Sequence, residues 1–187
     1  MNNDRRLQVA IALTYAISVP ALGYYFLGFL VAVLFAIGYL SGFLLWLMVS
    51  ARPSFASIKV PYLLTLAAFL LLHKPEERFA AFFETLSDKI TGVPVPALSA
   101  GLFLSLVVLP IFPWLIAPLL MKRGNELGYF FACTLFTSMG ITELAHFVFP
   151  LLTDEPYGYF PGMVSVVLLA PLGWWGMWLL SRKTRRD

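Results

Sequence analysis

The chain has 187 residues, of which 60% are hydrophobic and only 12% charged, with a formal net charge of +3 and a mean hydropathy of +0.83. A soluble domain carries roughly 45–50% apolar and about 25% charged residues, so the composition excludes an ordinary soluble domain and any folded basic module for nucleic acid. It points instead to an all-α, polytopic membrane bundle forming one integral domain over residues 1–187, and the single cysteine, Cys133, excludes an intrachain disulfide framework.

A helix needs about 20 apolar residues to cross the hydrocarbon of a bilayer. Arg5-Arg6 precedes an uncharged stretch from Leu7 to Val49, too long for the apolar part of a cleaved signal peptide, and is read as a signal-anchor. The turn-like GYYFLG sequence around Tyr24–Gly28 divides this stretch into two spans, about 7–24 and 28–49. Lys59 opens the third, about 59–74. Phe79, Phe82, Phe83, Leu86 and Ile90 then recur at three- and four-residue spacing, which predicts a short amphipathic helix at the membrane interface, ended by the G-V-P-V-P run 92–96. The fourth span, about 96–121, contains Pro110, Pro113 and Pro118 and is expected to be kinked. The fifth covers about 128–152 and the sixth about 162–181, giving six transmembrane helices in all.

Charge placement fits that count. With the N-terminus inside, the inner segments hold Arg5-Arg6, Arg52 with Lys59, Lys122-Arg123 and the RKTRR tail, while the opposite loops hold little Lys or Arg. Every loop then obeys the positive-inside rule, with both termini cytoplasmic. The basic ends suit anionic lipid headgroups. Tyr24, Tyr25, Tyr157 and Tyr159 fall at the outer interface, and Trp46 and Trp178 nearer the inner one.

Two polar clusters interrupt the apolar chain: His73-Lys74-Pro75-Glu76-Glu77, and Glu143 with His146. Ionisable groups inside a membrane are costly and are functional candidates by default. His73 lies 14 residues beyond Lys59 and Glu143 lies 15 beyond Gly128, rises of about 21 and 22 Å in helices running the same way. Both clusters are thus expected at one height in the outer half of the bilayer. His73, Glu76 and Glu77 share a face if the helix continues, and Glu143 and His146 are spaced i, i+3. Helix bundles present metal ligands in this way, with Glu-x-x-His pairs from facing helices. His73, Glu76, Glu77, Glu143 and His146 are therefore candidate ligands for one zinc, or for two iron or manganese ions, with Glu77 and Glu143 as candidate acid–base groups. Thr134, Ser138, Thr142 and His146 form a polar stripe on the fifth span, for a cavity or for helix–helix hydrogen bonds.

Structural readings compete with these. Pro75 disfavours a helical Lys74. If it ends the helix, Glu76 and Glu77 only complement the first turn of the next one. Glu143 could simply pair with His146 or Arg78, and Lys74 and Arg78 could snorkel to headgroups.

H73-K-P-E-E-R78, followed by aromatics, resembles the diagnostic motif of the H-x-x-E-E family of small bacterial membrane proteins. The segment with His146 and then Y159-F-P-G-M-V-S-V-V-L-L-A-P-L-G173 is similar to that family's second conserved region, so the resemblance covers about Leu70 to Leu180. Members often carry Asn four residues before the second histidine, where this chain has Thr142 beside Glu143. The family's function is uncharacterised, so the resemblance implies no reaction; it implies a bacterial cytoplasmic membrane and one site built from His73, Glu76, Glu77 and His146. The functional expectation is a metal-dependent membrane enzyme, a hydrolase or an oxidase/hydroxylase, acting on a lipidic or amphipathic substrate. A metal-free glutamate protease would typically place Arg four residues after the second Glu, where Ala81 stands. The alternative is a small carrier or a metal- or ligand-binding protein, a homodimer being one way so small a carrier could assemble.

Overall fold

The computed structural model describes residues 3–49, 52–97 and 99–182. Those residues are mostly helical, with no strand among them. Helices α1 (Asn3–Leu27) and α2 (Phe29–Met48) form a hairpin about Gly28, whose φ of 85° suits glycine. Helix α3 runs from Phe55 to Phe79. A short helix α4 (Phe82–Leu86) comes next and ends in a π-turn over Ser87–Thr91. A helical stretch from Ala100, passing through a π-turn at Leu104–Val108, leads into α5 (Leu109–Lys122). Helices α6 (Glu126–Gly140) and α7 (Met163–Ser181) complete the bundle.

Five helices, Asp4–Leu27, Phe29–Met48, Phe55–Phe79, Glu126–Phe147 and Met163–Ser181, are long and apolar enough to cross a membrane. Their outward faces carry Leu7, Ile17, Phe29, Leu44, Val60, Leu71 and Val167, all exposed. Such a surface is stable where the surroundings are hydrocarbon. The segment Glu126–Phe147 differs from the rest. In its most apolar window 72% of residues are buried, against 22–39% in the other four, so α6 is the axis around which the bundle packs.

Small residues on that axis let the neighbouring backbones close in. A Cβ on Gly42 of α2 would lie 2.6 Å from the Cα of Thr134, and one on Gly173 of α7 would lie 2.6 Å from the nitrogen of Gly140. Buried hydroxyls add to the packing, Thr137 Oγ1 donating to Gly38 O at 2.8 Å between α6 and α2 and Tyr62 to Trp114 O at 2.5 Å between α3 and α5. Of the polar stripe read from the sequence, Thr134 accepts from Trp114 Nε1 at 3.1 Å and Thr142 donates to Leu34 O at 3.4 Å, Ser138 has no hydrogen-bond partner among the described residues, and His146 joins the His–Glu cluster.

Contacts define two ends. At one, Arg52 pairs with Glu126 at 2.8 Å and Tyr129 donates to Pro53 O at 3.2 Å, tying the α2–α3 connection to the start of α6. Asn125 caps α6 there by accepting from Leu127 N at 2.9 Å. At the other end, Lys89 pairs with Glu155 at 2.6 Å and Tyr159 reaches Glu76 at 2.9 Å. The basic tail lies outside the described residues beyond Arg182.

Several sequence expectations are corrected. Pro75 does not break α3: Lys74 keeps helical dihedrals, and the helix runs on to Phe79. The preceding π-turn, Phe69–His73, places Pro75 at the start of a fresh α-turn, where its missing N–H is least costly. α3 stops before Ala81, whose φ is 52°. The fourth span is irregular at Leu104–Val108, where a π-turn interrupts it, and Pro113 and Pro118 sit inside the α-helix that follows. The apolar run from Gly128 is not one α-helix to Leu152. α6 ends at Gly140 and gives way to 3₁₀ turns over Thr142–Phe147 and Phe149–Leu152.

Candidate metal centre

Two irregular helical segments build the site. The π-turn in α3 adds one residue to a turn and so resets the register of the turns after it; π-bulges recur at functional sites for this reason. It leaves His73 and Glu77, spaced i, i+4, on the inward face, fully and almost fully buried. The 3₁₀ turn after α6 has three residues per turn, so Glu143 and His146 stand one above the other. The two segments face each other, and the described residues bring one ligand atom from each of His73, Glu77, Glu143 and His146 within 4.8 Å of one another.

The distances are specific. Glu143 Oε2 lies 3.1 Å from His73 Nε2 and 3.2 Å from His146 Nε2. Glu77 Oε1 lies 3.4 Å from His73 Nε2 and 3.6 Å from His146 Nε2. The two rings stand perpendicular with centroids 5.0 Å apart. Phe69 stacks on His73, and Phe82 and Phe149 flank His146. This aromatic sheath fixes both imidazoles and lowers the local dielectric, strengthening any charge interaction within it.

Partners on the far side of each ring set the tautomers. His146 Nδ1 is 2.5 Å from Pro161 O, a carbonyl that can only accept, so Nδ1 carries the proton. Ser165 Oγ donates to Gly162 O at 3.1 Å and therefore accepts from His73 Nδ1 at 2.8 Å. In neutral rings both Nε2 lone pairs then point into the cluster, toward two carboxylates. His73 Nε2 is buried and makes no aligned hydrogen bond there. Four electron-rich atoms around one point repel one another unless a cation or protons lie between them. Outward Nδ1–H groups held by a carbonyl and a hydroxyl are the usual way a protein orients metal-ligating histidines. A tetrahedral ion with bonds of about 2.0–2.2 Å requires ligand separations of about 3.3–3.6 Å. The four His–Glu separations, 3.1–3.6 Å, lie close to that range, and the donors suit zinc, iron or manganese.

Glu76 stands apart. Its carboxylate accepts from Ser165 N at 2.8 Å, Val164 N at 3.1 Å and Tyr159 Oη at 2.9 Å, which caps the first turn of α7. Burial and this bond to Glu76 raise the Tyr159 phenol above its ordinary range, keeping it a donor. Glu76 thus positions Ser165, which orients His73. We expect Glu76→Gln to leave all four inward groups in place yet weaken metal binding about 10–100-fold, with Ser165→Ala giving a similar loss. Competition with a chromogenic chelator measures both, and unchanged affinity in both variants would remove Glu76 from the site.

Lys74, expected to snorkel outward, turns inward instead. Its ammonium pairs with Glu77 Oε2 and lies 4.9 Å from the Phe69 ring centroid. Glu143 pairs with the two histidines rather than with Arg78. Ser165 and Pro161 do not stand out in the sequence as site residues. The one signal for Ser165 is a lone hydroxyl near the start of the last apolar run; Pro161 acts through its backbone carbonyl, which no residue type reveals.

A cavity of about 120 Å³ opens beside the cluster. Lys74, Glu77, Glu143 and His146 line one side, while α2 and α5 supply apolar walls through Val31, Leu34, Tyr39, Ile111 and Trp114. Fold and site together define a membrane-type helical bundle with a buried two-histidine, two-glutamate cluster able to hold a metal ion. No family model, curated protein or solved structure matches the chain.

Proposed function

We propose that the protein is a metal-dependent integral membrane hydrolase acting on an amphipathic substrate, with one divalent ion, zinc being the first candidate, at His73, His146 and Glu143. The supporting observation is the convergence of two lone-pair-bearing Nε2 atoms on Glu143 Oε2, at 3.1 and 3.2 Å. A two-histidine, one-glutamate set leaves a fourth position open, as catalytic zinc sites do. With Glu76 committed to α7, the carboxylates left are too few for the usual di-metal bundle. Glu77 is farther from both imidazoles, lines the cavity and has its second oxygen on Lys74. It is placed to take a proton from water and return it to the leaving group. A bound zinc ion would supply an acidified water.

The six-span arrangement with both termini cytoplasmic belongs to the same proposal. Its supports are the helical course from Ala100 to Lys122 and the gathering of Arg52 and Lys122 at the end opposite the cluster, Lys122 lying over the Phe55 ring. Helix α4 then rests at the outer interface, and the site opens into the outer half of the bilayer. Membership of the H-x-x-E-E family is part of the reading too, carried by the motif residues alone.

Elemental analysis of protein purified in non-ionic detergent tests the core of this proposal. The wild type should carry about one equivalent of divalent metal, and His73→Ala and His146→Ala almost none while still folded. A metal-free wild type that stays empty after zinc, iron and manganese are supplied ends the proposal.

A further inference from the structure

Two glutamates face the same pair of imidazoles, and only one of them is to hold the ion. Distance alone does not keep the other away. Glu77 Oε1 lies 3.4 and 3.6 Å from the two Nε2 atoms, which is itself the spacing of ligands around a tetrahedral ion. Left unrestrained, that oxygen would close on the metal and fill the fourth position. Resting on the metal reading above, we infer that Lys74 is a positioning residue: it holds Glu77 Oε2, keeps that carboxylate from becoming a fourth ligand, and leaves one coordination position open to water or another small donor.

The two carboxylates differ in what holds their oxygens. Among the described residues Lys74 pairs with Glu77 and with no other carboxylate, whereas the ion pairs of Glu143 are with His73 and His146. A carboxylate with one oxygen on an ammonium is both oriented and partly neutralised by it, so Glu77 is the poorer ligand through its remaining oxygen. Lys74, Glu77, Glu143 and His146 line the cavity together, and its volume of about 120 Å³ is enough for a few water molecules.

The ammonium is itself fixed. It lies 4.9 Å from the Phe69 ring centroid, and the same ring stacks on His73 with centroids 5.9 Å apart and 26° between the planes. Phe69 is buried, so one immobile ring steadies a ligand and the restraint on its neighbour. Lys74 and Glu77 follow the π-turn directly, so the register that turns His73 inward also brings Lys74 beside Glu77.

Local energetics do not account for this placement. A lysine near the end of a membrane span ordinarily extends to the headgroups. Lys before Glu is also the less favourable order for a pair on one helix. The carboxylate and the ring are what draw the ammonium inward.

The test uses full-length protein in non-ionic detergent, stripped by a chelator and reloaded with cobalt(II), with metal content measured in every sample. The visible absorption bands of cobalt(II) follow its ligand set. Lys74→Gln and Lys74→Met should both keep the ion and shift those bands with nothing added. Both should also bind zinc at least about tenfold more tightly in chelator competition, the gain of one charged contact. Sodium azide should perturb the bands of the wild type and not those of either variant. Lys74→Gln combined with Glu77→Gln should recover the wild-type bands and the azide response, because an amide is a far weaker ligand than the carboxylate that closed the position. Lys74→Arg, which keeps the cation, should resemble the wild type. A purely structural ion pair would change the melting temperature and leave the bands alone. Metal-loaded Lys74→Gln and Lys74→Met with wild-type bands, or a double variant that keeps the shifted bands, overturns this inference and leaves the metal reading standing. A loaded wild type whose bands ignore azide overturns it too, because Glu77 then already ligates. A wild type that takes up neither zinc nor cobalt removes the hydrolase reading and this one together.

Discussion

Glu143→Ala should empty the cluster of divalent metal, whereas Glu77→Gln should leave it loaded. The two carboxylates look alike in sequence, each three or four residues from a histidine. Their surroundings differ. One oxygen of Glu143 approaches both imidazoles, at 3.1 and 3.2 Å, while Glu77 stands 3.4 and 3.6 Å away and gives its other oxygen to Lys74. Removing Glu143 deletes the anion on which both Nε2 atoms converge. The loss in affinity should exceed the about 10–100-fold typical of an outer partner. Glu77→Gln keeps the shape and an oxygen at the same place, so its effect should fall on turnover. Chelator competition on folded, detergent-purified variants measures both. Equal loss of metal in the two would make Glu77 a ligand of the same rank, and the division of roles would fail.

Gly162→Ala should cost both stability and metal. Gly162 has a φ of 97°, and a Cβ there would collide with the His146 ring, at Nδ1 and Cε1. A non-glycine residue in such a conformation costs on the order of 1–3 kcal/mol, and the methyl group must also displace the imidazole that Pro161 O orients. Gly92 provides the comparison. It too has a positive φ, 63°, but nothing lies within 4 Å of its Cβ position. Gly92→Ala should therefore lower the melting temperature modestly and leave metal content unchanged. Gly162→Ala should lower the melting temperature further and release the ion. If the two variants melt alike and both keep metal, the close approach of Gly162 to His146 does not hold the site.

Parts of the site are legible in the sequence because the membrane makes polarity conspicuous. A histidine or glutamate in an apolar run costs enough to need a reason, so His73, Glu77, Glu143 and His146 stand out by residue type. Equal helical rise from two boundaries then places them at one height. Glu76 departs from its expected role because adjacent glutamates share a motif but not a face. One residue of helix is about 100° of rotation, and the π-turn fixes which of the pair looks inward. Lys74 departs for the same reason, since snorkelling assumes that a side chain starts on the lipid face. The end of α6 at Gly140 is hidden because the stretch through Leu152 stays mostly apolar around Glu143 and His146, while the backbone tightens to 3₁₀.

Residue order and composition were enough to establish an apolar helical chain with a few ionisable residues grouped at one depth, because burying charge and exposing backbone in hydrocarbon are both so costly that any membrane chain must obey them. Which of those ionisable groups meet was settled by packing, through the extra residue in the π-turn of α3, the 3₁₀ turn after α6 and the Pro161–Gly162 bend against His146. These are rotations and contacts between segments distant in sequence. Residue type sets the cost of leaving a charge unpaired, and packing alone selects its partner.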